Sequence, residues 1–112
     1  MKTYAQTIFL RDDPDVLAAY RDHHDHIWPE VAEGLRGVGI LQMRIWLLGR
    51  QLFMVMDTTD AFDPERDFAR YEAGHPRRAE WQRLMESYQE PVAGAKPGEW
   101  WAQMELVFTL NA

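Results

Sequence analysis

Residues 40–58, ILQMRIWLLGRQLFMVMDT, decide how the rest of the chain is read. Two runs of branched, aromatic and sulfur-bearing residues, Ile40–Leu48 and Gln51–Thr58, flank Gly49-Arg50. Each run has strand length, and a two-residue link with glycine first suits a hairpin turn, so the pair predicts a β-hairpin. Upstream, Thr3–Leu10 is rich in Thr, Tyr, Ile and Phe and reads as a strand. Asp12-Asp13-Pro14 then opens a helix: aspartate caps the free amides and proline suits the first turn. Leu17, Tyr20, His24, Trp28, Val31 and Leu35 recur at spacings of three and four, which places them on one helix face. Pro29 has no amide hydrogen to give, so a break is expected near Ile27–Trp28. Gly37 and Gly39 are C-cap and turn residues before the hairpin.

Downstream, Asp63-Pro64 opens a second helical region, interrupted at His75-Pro76 and resuming to about Tyr88. Residues 91–98 form a loop, and Trp100–Leu110 is expected as the closing strand. The order βαββαβ is the ferredoxin-like pattern, an α+β fold with a four-stranded antiparallel sheet and the helices on one face. Leu41, Met43, Ile45 and Leu47, together with Ala102, Met104, Leu106 and Phe108, are assigned to the helix-facing side. The opposite side receives Gln42, Arg44, Trp46 and Leu48, and with them Leu52, Met54 and Met56. So apolar a face would not stay in water, and packing it on a second copy predicts a homodimer, a dimeric α/β barrel.

Composition narrows the partners. At 112 residues, 46% hydrophobic and 27% charged, the chain is one globular domain, residues 1–112. A net charge of −6 argues against nucleic acid or an anionic membrane surface as partner. No apolar run approaches the roughly 20 residues of a membrane span, and no signal peptide is read at the start. Zero cysteines exclude disulfide and thiolate chemistry and suit the cytoplasm. Five tryptophans suit sugar stacking and core filling alike.

Tyr20–Glu30, YRDHHDHIWPE, holds three of the four histidines. Only Asp22 and His26 have the i,i+4 spacing that two metal ligands on one face require, so no metal site is assigned. His23, His26, Asp22 and Asp25 read as a solvated outer face. His24 instead falls in the apolar stripe, one turn after Tyr20. Two groups with exchangeable protons therefore share one space, and an imidazole can give and take a proton near neutral pH.

Tyr20-x-x-x-His24 followed by Ile27-Trp28-Pro29-Glu30 resembles the signature of the L-rhamnose mutarotase family. The likeness continues through the hairpin, Trp81-x-x-x-Met85 and Val107-Phe108. It implies a homodimeric ferredoxin-like isomerase that needs no cofactor. Its substrate would be a monosaccharide, a 6-deoxy-L-hexose whose α and β anomers it interconverts. The family's catalytic histidine falls on His24, expected to protonate the ring oxygen on opening and to recover the proton on closing. Substrate-binding positions fall on Tyr20, Met43, Trp81 and Gln82. A tyrosine is replaced at Met43 and a tryptophan at Gln82, which leaves the sugar open between L-fucose and L-rhamnose. The group that takes the anomeric proton is unassigned. Two other classes share these features: a cofactor-independent monooxygenase of the dimeric α/β-barrel type, and a non-catalytic sugar-binding module.

Overall fold

A computed structural model describes residues 1–111. Its elements run β1 (Lys2–Leu10), α1 (Pro14–Asp25), α2 (Pro29–Gly37), β2 (Ile40–Leu48), β3 (Gln51–Thr58), α3 (Pro64–Ala73), α4 (Pro76–Tyr88), β4 (Gln89–Glu90) and β5 (Ala102–Gln103). Proline and its preceding residue set four of these boundaries. Asp13, Asp63 and His75 accept backbone amides of their own helices with side-chain atoms, and Pro14, Pro64 and Pro76 follow them. Pro29 divides the first helical region into α1 and α2 after a gap at His26–Trp28. That gap lets the chain turn while Tyr20 and Val31 both stay buried.

The strand order β2-β3-β1-β4 is ferredoxin-like, and β5 shares the β1 edge with β4. Both pairings of β1 on that edge are short: Phe9 and Leu10 with β4, Gln6 and Thr7 with β5. The hairpin turns at Gly49, whose φ of +62° is the left-handed conformation a glycine takes at the first turn position. Below the helices the core joins Ile8, Leu10, Leu52 and Met56 of the sheet to Val31 and Phe62. Apolar burial of this kind contributes about 25 cal/mol per Å² removed from water, the dominant favourable term.

Three assignments made from the sequence are corrected, the first being Leu41, which sits at the irregularity between Ile40 and Gln42 and is exposed rather than helix-facing. Leu52, Met54 and Met56 face the helices, since Met43 lies opposite Met56, Ile45 opposite Met54 and Leu47 opposite Leu52. A two-residue turn pairs residues of one face across the hairpin, so the phase of β2 fixes the phase of β3. The outer face instead carries Trp46 and Phe53, whose rings are 5.7 Å apart, with the Arg44 guanidinium over Trp46. The closing strand Trp100–Leu110 is also shorter than expected: only Ala102–Gln103 pairs. After the bond from Met104 N–H to the Ala5 carbonyl the chain leaves β1, and Met104, Leu106 and Phe108 are exposed rather than helix-facing. Alternation supplies a strand's propensity but not its partner.

Candidate active site

A cavity of about 350 Å³ lies between the helices and the inner face of the sheet. His24, Tyr20, Met43, Trp81 and Gln82, singled out in the sequence, all line it. They come from α1, β2 and α4, elements that meet only in the tertiary fold.

His24 is held on two sides. Its imidazole stacks on the Tyr20 ring with centroids 4.2 Å apart, and Trp81 meets it edge to face at 5.4 Å. Its Nδ1 lies 2.8 Å from the Tyr20 carbonyl oxygen, an acceptor only. Nδ1 therefore carries the hydrogen in the neutral ring and donates it, which leaves the Nε2 lone pair without a protein partner among the described residues. Burial pushes the His24 pKa below its usual value, and this outweighs the stabilising carbonyl of Tyr20. At neutral pH the ring is uncharged.

The Tyr20 phenol is buried, and that burial drives its pKa up, beyond any physiological range. The Gln89 side-chain amide, close to the phenol, partly offsets that rise. Tyr20 is thus a neutral hydrogen-bonding group and not a base. Gln89 is itself 2% exposed, and its Oε1 has no partner.

Polar and apolar side chains share the cavity's lining. Gln6 and Gln103, joined through their side-chain amides, line it together with Gln89, and the Gln6 amide also reaches the Met54 sulfur. Val31, Leu35, Met43, Ile45 and Met54 are among its apolar members. The three glutamines escaped the sequence reading, although one signal was present: Gln6 interrupts the inner-face series Tyr4, Ile8, Leu10 with an amide. Gln89 and Gln103 carried no such signal, because their short strands are defined only by pairing with β1. Tyr71, Glu72 and Trp101 also line the cavity, and Tyr71's burial raises its phenol to about 12.

The remaining histidines separate. His26 is exposed, with Nδ1 3.4 Å from Asp22 Oδ1. His23 departs from the solvated-face expectation: it is half-buried and packs near Trp81 and Tyr88. Among the described residues no three His, Cys, Asp or Glu side chains converge as metal ligands would.

Known proteins share this chain's sequence and fold. It is 38% identical over 113 residues to a UPF0734 protein of Dictyostelium discoideum, covering 98% of this chain and 90% of that one. An L-fucose mutarotase of Xanthomonas campestris pv. campestris is 34% identical over 113 residues, covering 99% and 90%. The crystal structure of an L-rhamnose mutarotase from Formosa agariphila superposes with a TM-score of 0.69 at 19% identity, covering 98% of this chain and 99% of that one. A tetracenomycin F2 cyclase from Streptomyces glaucescens superposes at 0.63 with 17% identity, covering 100% and 99%. At such identities these two structures speak for the fold alone. The family model for L-rhamnose mutarotase matches residues 3–110. With the whole fold inside that match, the chain belongs to the L-rhamnose mutarotase family.

Proposed function

We propose that the protein is an aldose mutarotase that interconverts the α and β anomers of a 6-deoxy-L-hexose, L-fucose or L-rhamnose. The observation that carries this reading is His24, neutral and with a free Nε2, beside Tyr20 in a cavity sized for a small ligand. The glutamine amides of the lining offer partners for ring hydroxyls, and its apolar side chains suit a methyl group in place of a C6 hydroxyl. Trp81 is the aromatic wall of the same space. Met43 and Gln82 lie where they bear on the choice of sugar.

Mutarotation needs only proton transfer and one reversible C–O cleavage, so no cofactor is called for. His24 Nε2 takes the proton of the anomeric hydroxyl, the C1–O5 bond breaks, and the imidazolium returns the proton to O5. Both oxygens are bonded to C1, so one ring facing C1 reaches each of them. Rotation about C1–C2 and the reverse steps close the ring on the other face. A neutral His24 starts as the base and then, as acid, protonates the ring oxygen on opening and recovers that proton on closing. Such a group typically contributes about 100- to 10,000-fold. Tyr20 and Gln82 hold sugar hydroxyls.

The partner is a second copy of the chain, packed through the outer sheet face where Trp46 is 47% exposed and Phe53 is 36% exposed. A net charge of −6 disfavours nucleic acid and anionic membranes, and the lack of cysteine suits a reducing cytoplasm. Family membership favours mutarotation over the oxygenase chemistry that a dimeric α/β barrel can also serve.

NMR saturation transfer between anomeric protons tests the reading on L-fucose, L-rhamnose, D-galactose and D-glucose. Accelerated exchange of a 6-deoxy sugar, slower for the other two, is expected. Sugar binding that shifts tryptophan fluorescence while every exchange rate stays at the uncatalysed value would make the protein a binding module instead.

A further inference from the structure

One buried phenol in the cavity wall has no task within the fold. Tyr71, on α3, is 5% exposed and lines the cavity of about 350 Å³. Its carbonyl accepts from Gly74 N–H and from Arg78 Nη1, while its hydroxyl has no partner among the described residues. Nor is that oxygen one of the unpaired atoms sealed inside the protein, which belong to Glu30, Arg77 and Gln89. It therefore opens on the cavity that the residue lines. On α3 the lining consists of Pro64, Phe68, Tyr71 and Glu72, so the phenol is the buried polar group on that side.

The ring is gripped from two other elements. Gly34 of α2 comes so near that a Cβ there would meet Tyr71 Cδ1 at 2.8 Å and Arg78 Cζ at 2.7 Å. From α4 the Arg78 guanidinium lies over the ring, 5.6 Å from its centroid, and its Nε donates to the Glu30 carbonyl at 2.8 Å. Glycine at 34 thus lets the phenol and the guanidinium press against the α2 backbone. Burial keeps the phenol protonated up to about 12, so at neutral pH it can both give and accept a hydrogen bond. A hydroxyl withdrawn from bulk water and left unpaired by the fold is satisfied by what occupies the cavity.

We infer that Tyr71 is a further substrate-binding residue and helps to choose the sugar, its phenol hydrogen-bonding one ring hydroxyl. The inference rests on the mutarotase reading for the class of ligand. The rings beside His24 are those of Tyr20 and Trp81, and His24 serves the anomeric oxygen and O5. A 6-deoxyhexopyranose keeps further hydroxyls at C2, C3 and C4, and Tyr71 takes one of these three. A site that pairs with a hydroxyl rejects the analogue lacking it, because its own polar group is then left unpaired.

The test compares Tyr71→Phe with the unaltered protein on L-fucose or L-rhamnose, whichever is accelerated more, and on the 2-, 3- and 4-deoxy analogues of that sugar. Phenylalanine keeps the ring against Gly34 and Arg78, so the melting temperature should not fall. The sugar concentration for half-maximal exchange should rise roughly 3- to 10-fold, the worth of one neutral hydrogen bond. On one of the three analogues the two proteins should coincide, since the contact is already missing there. Equal half-saturation on the parent sugar would overturn the inference. So would the same loss on all three analogues, or a lower melting temperature, either of which marks a structural role. Titration of tryptophan fluorescence with sugar separates this from the mutarotase reading. Sugar that binds more weakly to Tyr71→Phe, yet exchanges at the uncatalysed rate in both proteins, would leave the Tyr71 contact standing and remove mutarotation. Binding of no sugar to the unaltered protein would overturn both.

Discussion

The imidazole of His24 and the main chain of Tyr20 are joined at 2.8 Å, Nδ1 to carbonyl oxygen, while the two rings stack with centroids 4.2 Å apart. One helical turn thus fixes the tautomer and the ring plane together. His24→Ala removes the free Nε2 and should slow anomer exchange by about 100- to 10,000-fold, read by saturation transfer. The fold should survive, since the ring is half-buried at the rim of the cavity. Exchange at the rate of the unaltered protein would remove His24 from the mechanism.

The lowered His24 pKa sets a pH dependence. Above 6.5 the ring is neutral both in the folded protein and in the unfolded chain, so acceleration should be flat there. As pH falls from 6.5 through the lower folded value the base is protonated and acceleration is lost. Stability contributed by the neutral ring declines over the same acid window, because the unfolded chain binds the proton first. An acid limb in the exchange rate that is absent from the residual rate of His24→Ala is the expected signature.

Tyr20→Phe keeps the stack on His24 but removes the phenol that Gln89 adjoins. With no hydrogen bond of the fold resting on the phenol, thermal or denaturant unfolding should change by less than about 1 kcal/mol. The sugar loses one hydrogen-bonding partner, so the substrate concentration for half-maximal exchange should rise. A stability loss of about 1–3 kcal/mol would instead mean that the phenol pairs with Gln89.

His23→Ala separates the neighbouring histidines. His23 lies 5.9 Å from both Trp81 and Tyr88, ring centre to ring centre, so its loss should cost about 0.5–1.5 kcal/mol of stability. Exchange per folded molecule should be unchanged, because its Nδ1 is engaged with the Ala19 carbonyl.

Asp67 is a structural carboxylate with a readable titration. It accepts from Asp63 N–H and pairs with Arg66 and Arg70, which together hold its pKa down at about 2. Its stabilisation is complete above 3.8 and is lost as pH falls through about 2. Asp67→Asn should therefore lower the melting temperature at neutral pH, and the gap between the two proteins should close on acidification toward pH 2.

Sequence alone determined the elements whose causes are local. Prolines at 14, 29, 64 and 76 and their capping neighbours fix where helices start and break, because a missing amide hydrogen and a fixed φ act within one turn. The hairpin followed from a two-residue turn, and the pairing of Tyr20 with His24 from helical periodicity. Whatever depends on a partner distant in the chain was settled by packing instead. The face taken by β3 came from its register with β2. Two of the cavity's glutamines, Gln89 and Gln103, were placed by meeting β1, with residues 105–110 left off the sheet. Strand propensity and alternation are properties of a segment, whereas a hydrogen-bonded edge and a dry face belong to two segments at once, and the chain order does not say which two will meet.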